Sequence, residues 1–267
     1  MAKLIDKIKC SEFIDSTENL INRFNINIQY GDNDLQSWVT KNLEAKEGER
    51  VLDIGCGDGT HLRSVASIVK KDNHCIGIDY DLGMVDKAIT QSENFVPLVS
   101  FLQMDMDNIG SPNSPFKGNS LDLIYSVYAF YYSQNEFKLL DVLKNKLKPE
   151  GRITVVGPHV GNNREWFDFL NQFMQIPKPV LVSTTTFMEG IRNYAEKSFR
   201  EVKTLDFVNN ITIPSLDILR KYWVSNIYYD PTHDSDFEEY ARQHFEREKT
   251  FRFPKKAELI TMGAKNN

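Results

Sequence analysis

Cysteine is scarce in this chain: three residues in 267, at Cys10, Cys56 and Cys75. An odd set without ligand spacing excludes a disulfide framework and a Cys-built metal module. A chain of this length buries a sizeable core without such staples. Long apolar runs are missing as well. Nothing approaches the roughly 20 consecutive apolar residues that span a bilayer, and 1–10 holds no uninterrupted apolar stretch of the secretory type. The expectation is a cytoplasmic chain with no membrane partner. Basic excess is absent too: 32 Lys and Arg stand against 37 Asp and Glu, a net charge of −5. Binding to a phosphate backbone relies on clustered cations, so no nucleic-acid partner is expected. No repeat, low-complexity tract or Asp/Asn cluster stands out, and no metal is expected.

What is present is alternation. Val51-Leu52-Asp53-Ile54 reads as a buried strand running into Gly55-Cys56-Gly57-Asp58-Gly59-Thr60. Glycines at 55, 57 and 59 let the backbone take positive φ and approach a bound group closely. The helix that follows presents free N–H groups to anionic ligand atoms. The third glycine, at 59 rather than 60, departs from the dinucleotide spacing G-x-G-x-x-G. Further strands are expected at Cys75–Asp79, Val99–Gln103, Leu121–Ser126 and Arg152–Val156, with helices at Thr60–Lys70, Gly83–Ser92 and Gln134–Leu147. Strands alternating with helices imply a doubly wound α/β parallel sheet with helices on both faces. Ligands of such sheets bind beyond the carboxyl ends of the strands. Asp53–Gly59, Asp79, Asp105 and Ser126 all fall there.

Five separate motifs then arrive in one order. Asp53 with its glycine turn is the first, and Gly77-Ile78-Asp79-Tyr80-Asp81-Leu82-Gly83-Met84 the second. Asp81 can cap the helix that follows as well as a serine would. Asp105-Met106, the end of strand four at Ser126, and Leu147-Lys148-Pro149-Glu150-Gly151-Arg152, a turn leading into the fifth strand, complete the set. Over about 50–157 the chain resembles the class I S-adenosylmethionine-dependent methyltransferases. In its overall look it is similar to the small-molecule, methyltransferase type 11-like branch. The resemblance implies a Rossmann-like, mostly parallel seven-stranded sheet closed by an antiparallel C-terminal strand, and S-adenosyl-L-methionine as cofactor. It also implies the cofactor contacts: Gly55, Cys56 and Gly57 through the glycine turn, Asp79 on the ribose hydroxyls and Tyr80 beside the adenine. Asp105 would accept from the adenine amino group while Met106 covers the ring, with Ser126 beside the methionyl end. Asp53 would hold the turn or the cofactor's ammonium. The structural alternative for each strand-end acid is a helix or turn cap, with Asp107 available in place of Asp105.

One domain over 1–267 is expected: an N-terminal helical lid at 1–45, a cofactor-binding core at 46–157, and a substrate-side elaboration with a strand hairpin at 158–267. In the lid, Phe13, Leu20, Ile21, Phe24, Leu35, Trp38, Val39 and Leu43 keep helical spacing; the alternative for most of them is a helix packing on the sheet edge, and Tyr30 is the residue expected to contact the cofactor. Beyond 157, helices are expected at Arg164–Gln175, Thr184–Ser198, Leu216–Tyr229 and Phe237–Lys249, with Pro177 and Pro179 as breakers. Strands are expected at Val202–Ile213 and Phe251–Met262.

Acceptor-side candidates are fewer. Tyr128, Phe130, Tyr131 and Tyr132 follow strand four as an aromatic wall or as ordinary packing, and Tyr131 is the one carried forward. His159, in the loop after strand five, is the general-base candidate, against a solvated or hydrogen-bonded histidine. The N-P-P-Y signature of amino-group nucleic-acid methylation does not follow strand four, which continues Ser126-Val127-Tyr128-Ala129, and the Pro-Cys nucleophile of C5-cytosine enzymes is also absent. The expected function is methyl transfer to an oxygen or nitrogen of a small organic acceptor, by a monomer or homodimer. The alternatives are a protein or RNA acceptor, or a non-catalytic cofactor-binding subunit.

Overall fold

The computed structural model describes residues 17–263. The expectations at Cys10 and Phe13 lie outside the described residues, as does the side chain of Leu20. Seven strands form one sheet: β1 Val51–Ile54, β2 Cys75–Asp79, β3 Val99–Gln103, β4 Leu121–Val127, β5 Leu147–Pro158, β6 Glu201–Ile213 and β7 Phe251–Gly263, in the order β3-β2-β1-β4-β5-β7-β6. The first five pair in parallel, with Val51 between Cys75 and Leu123. β7 runs antiparallel beside β5. In keeping with that direction, the Thr154 and Thr261 hydroxyls meet at 3.1 Å while His159 N–H donates to the Lys256 carbonyl at 3.1 Å. All four residues of β1 are buried, as a central strand covered on both faces requires.

Among the described residues the α-helices are α1 Thr17–Gln29, α2 Leu35–Asn42, α3 Thr60–Val69, α4 Leu82–Gln91, α5 Glu136–Lys144, α6 Arg164–Leu170, α7 Lys178–Thr185, α8 Phe187–Ser198, α9 Leu216–Val224 and α10 Asp234–Arg247. α3 buries Leu62, Val65, Ala66 and Val69, the i, i+3, i+4, i+7 stripe that faces a core. α4 begins at Asp81, whose carboxylate accepts the Met84 N–H at 3.2 Å. α5 is capped in the same way by Asn135, through the Lys138 N–H.

The chain divides into two compact units. The first comprises 17–35, 159–186 and 207–257, and the second 36–158, 187–206 and 258–263. The second unit has an aliphatic core around Leu52, Ile54, Ile124, Leu140, Ile153 and Ile260. The first unit's core is aromatic. In it Trp223 stacks on Phe237 at 5.5 Å, and Trp166 meets Tyr222 edge-on at 5.2 Å. Such pairs add about 0.5–1.5 kcal/mol each beyond area burial.

Several boundaries differ from expectation. Lys148–Gly151, expected as a turn, lies inside β5. There the register shifts between Leu121↔Leu147 and Leu123↔Arg152, so the extra residues bulge within a continuing strand. Pro177 and Pro179 start a helix rather than break one: α7 has Pro177 at its N-cap and a proline in its first turn. The missing N–H costs nothing there because first-turn donors have no intrahelical acceptor. The expected helix Thr184–Ser198 is therefore two helices, α7 and α8, separated at Thr186. α6 stops at Leu170 rather than Gln175. α9 stops at Val224 rather than Tyr229, where Ser225 Oγ and Asn226 Nδ2 both donate back to the Tyr222 carbonyl, at 2.8 and 2.5 Å. Side-chain bonds of that kind compete with helix continuation.

Candidate functional site

The carboxyl ends of β1, β2 and β4 converge in the second unit. β1 delivers the chain into a turn where Gly55, Gly57 and Gly59 have φ of 70°, 53° and 78°. Their surroundings differ. A Cβ on Gly55 would lie 2.2 Å from the Ala129 Cβ, and one on Gly59 would lie 2.8 Å from the Phe101 ring. A Cβ on Gly57 would meet nothing within 4 Å, so the middle of the turn borders open space.

Asp79 fixes that turn. Its Oδ2 accepts the Gly57 N–H at 2.9 Å and its Oδ1 accepts the Asp81 N–H at 2.9 Å. One carboxylate thereby locks the glycine turn to the end of β2 while staying half-buried. Each oxygen keeps acceptor capacity for a pair of ligand hydroxyls. Tyr80 projects beside it, 75% exposed. Beyond β3, Asp105 accepts the Asp107 N–H at 2.9 Å, and Met106 packs against the aliphatic core. Asp107 is committed elsewhere: it accepts Ser133 Oγ at 2.5 Å and the Gln134 N–H at 2.8 Å. Asp105 itself is half-buried.

Asp53 is placed differently. It is 2% exposed, and the Tyr125 hydroxyl donates to its Oδ2 at 2.9 Å. Burial pushes its carboxyl up to about 8, with the Asp79 charge adding to the rise and the Tyr125 bond opposing it. Burial likewise raises the Cys75 thiol to about 12 and the Cys56 thiol further still, which disfavours the reactive thiolate of either. A Cβ on Gly77 would lie 2.8 Å from Cys56 Sγ. Ser126 is buried, and its hydroxyl donates to the Ile54 carbonyl at 2.8 Å, tying β4 to the end of β1.

Past β4, Tyr128 holds a φ of 55° and donates its N–H to the Val156 carbonyl at 2.8 Å. A bulky residue in the left-handed region is strained, and such strain clusters at ligand sites. Ala129 then covers Gly55. The Tyr131 ring packs against Tyr132 at 4.7 Å and edge-on against Phe187 at 5.6 Å.

Tyr30 and His159 belong to the first unit. The Tyr30 carbonyl accepts the Thr212 N–H at 2.8 Å, and the residue packs against the aromatic core. His159 Nδ1 lies 2.9 Å from the Val160 carbonyl. A carbonyl only accepts, so Nδ1 is the donor in this contact. Arg164 pairs with exposed Asp168 at 3.8 Å.

The structure adds residues that sequence reading passed over. Tyr125 pairs in register with Asp53 across β1 and β4, and a buried tyrosine demands a partner for its hydroxyl. That requirement was the available signal. Phe101 and Ala129 wall the glycine turn through contacts that leave no local trace in sequence.

The chain matches a family model described as a methyltransferase domain over residues 45–196. It is 32% identical over 116 residues to an aklanonic acid methyltransferase from Streptomyces sp. (strain C5), covering 43% of this chain and 50% of that protein. It is 30% identical over 113 residues to phosphoethanolamine N-methyltransferase 1 of Arabidopsis thaliana, covering 42% of this chain and 22% of that one. The matched stretch thus spans half or less of the length of these relatives. Among solved structures, the YcgJ protein of Bacillus subtilis superposes with a TM-score of 0.58 at 21% identity, over 87% of this chain and 98% of that one.

Proposed function

The chain belongs to the class I S-adenosylmethionine-dependent methyltransferases, and from that premise we propose that it transfers a methyl group to an oxygen or nitrogen of a small organic molecule in the cytoplasm. The observation that carries this reading is Asp79, which holds an open, left-handed glycine turn at one end of a parallel sheet. The residues fit S-adenosylmethionine. Gly55, Cys56 and Gly57 offer close backbone to its amino-acid portion, Asp79 a carboxylate to its ribose hydroxyls, and Asp105 an acceptor to its adenine amine. Tyr80 and Met106 supply apolar surface for the ring. When bound, the cofactor supplies a methyl group on a positively charged sulfur. The protein's own work is alignment and exclusion of water. Ser126 serves by holding β4 against β1, and Asp53 by holding Tyr125 beneath the turn. Tyr131, braced by Tyr132 and Phe187, is the proposed acceptor-side residue of this unit. A small-molecule acceptor agrees with the acidic balance and with the substrates in the relatives' names.

The test is turnover. With methyl-labelled cofactor and a panel of small phenols, carboxylic acids and amines, the reading expects S-adenosylhomocysteine and labelled product in equal amounts for at least one acceptor. Cofactor binding with no transfer to any small acceptor, but label on protein or RNA, would replace it.

A further inference from the structure

In the first unit, β6 and β7 turn one face to the aromatic core and leave the other open. Along β6, Phe207, Asn209, Ile211 and Ile213 are buried, while Val208 and Asn210 are exposed and Thr212 is half-buried. Along β7, Phe251 and Phe253 are buried, while Arg252 is exposed and Pro254 and Lys256 are half-buried. Alternate residues of a strand share a face. The open face therefore carries Val208, Asn210 and Thr212 from one strand and Arg252, Pro254 and Lys256 from the other. With Glu165 from α6 they line a groove of about 700 Å³. Clefts of about 300–1,000 Å³ are the size that takes small organic ligands.

The polar groups of this groove are unspent. Among the described residues, neither Arg252 nor Lys256 pairs with a carboxylate, Glu165 pairs with no cation, and the Thr212 hydroxyl has no partner. The Lys256 ammonium lies beside the loop before α6, 3.4 Å from where a Cβ on Gly161 would be. Asn210 spends its amide hydrogen on Asp32 Oδ2 at 2.8 Å, which leaves its side-chain oxygen to accept. The outer edge of β6 is closed at this end. Asp32 Oδ1 accepts the Asn210 N–H at 2.8 Å, Asn33 Nδ2 donates to the Val208 carbonyl at 2.7 Å, and the Thr212 N–H is held by Tyr30. Those contacts block strand addition here, so an occupant of the groove lies on the open face.

We propose that this groove binds a small organic zwitterion, its phosphate or carboxylate held by Arg252 and Lys256, its amine by Glu165, and its apolar body by Val208 and Pro254. A guanidinium offers an oxyanion a planar fork of donors, and an ammonium offers a compact point charge. Two cations and one carboxylate call for the opposite arrangement in the ligand. Thr212 and Asn210 add a donor and an acceptor between them. The groove lies wholly within the first unit, and the proposal does not rest on the methyl-transfer reading.

Calorimetric titration of 3-aminopropyl phosphate, propyl phosphate, 4-aminobutyrate and butyrate into the full chain, at low and fixed ionic strength, tests this directly. Saturable one-to-one binding of at least one amine-bearing probe is expected, tighter than that of its amine-free counterpart. Which pair binds separates a phosphate-bearing from a carboxylate-bearing ligand. Arg252→Gln and Lys256→Gln should each weaken binding by about fivefold, the upper end for an exposed ion pair. Glu165→Gln should erase the preference for the amine. Near-UV circular dichroism verifies the aromatic core beneath the groove in all three variants. Lys249→Gln removes an exposed cation outside the groove and should leave binding unchanged. The proposal would be overturned if neither amine-bearing probe bound saturably, if affinities ignored both Arg252→Gln and Lys256→Gln, or if the amine preference survived Glu165→Gln.

Discussion

Gly55 and Gly57 share a left-handed backbone but not a neighbourhood, and that difference can be measured. A side chain in this region costs roughly 1–2 kcal/mol for a non-glycine residue. Gly57→Ala should lose about that and no more, because its Cβ meets open space. Gly55→Ala must also displace Ala129, so it should lose about 1–3 kcal/mol on top of the strain. Urea denaturation separates the two, and equal losses would mean that Ala129 yields freely. Asp53 makes a second prediction. Its carboxyl stands near 8 in the fold against an ordinary 3.8. A raised carboxyl binds its proton more tightly when folded, so its contribution is fully present below pH 4 and is lost as pH rises through about 8. Asp53→Asn should therefore be more stable than wild type at pH 8, with the advantage shrinking toward pH 4. An advantage independent of pH would show that Asp53 is already ionised.

Among the elements, caps and ties carry the predictions. Asp81→Ala removes the side-chain acceptor for Met84 N–H at the start of α4 and should cost about 1 kcal/mol. Asp107→Ala strands Ser133 Oγ and the Gln134 N–H. A loss of about 1–3 kcal/mol is expected, with faster hydrogen exchange at Gln134 as its local signature. Elements of this kind divide by how far their causes reach along the chain. The glycine turn and the Asp81 cap were legible because turn, cap and helix lie within a few residues. The bulge at Lys148–Gly151 was not, since it exists only through pairing with β4. Asp107 likewise takes its role from Ser133, a partner 26 residues away. The prolines at 177 and 179 read as breakers because their sequence does not say whether a helix ends before them or begins with them.

For the whole molecule, the order of motifs along the chain announced the parallel half of the sheet. The strand order β3-β2-β1-β4-β5-β7-β6 carries that arrangement through to the two long C-terminal strands. The aromatic core of the first unit was visible as residues but not as a packed cluster, because Trp166, Tyr222 and Phe251 are brought together only by the fold. No helix among the described residues is long and apolar enough to cross a membrane. The central claim is that Asp79 and the glycine turn it holds form the cofactor site. Calorimetric titration of S-adenosylmethionine and S-adenosylhomocysteine into wild type and Asp79→Ala, with NADH as control ligand, tests it most directly. The account predicts that both sulfur nucleosides bind wild type, that NADH does not, and that Asp79→Ala loses most of the affinity while its near-UV spectrum is retained. Equal binding by wild type and Asp79→Ala, or preference for NADH, would contradict it.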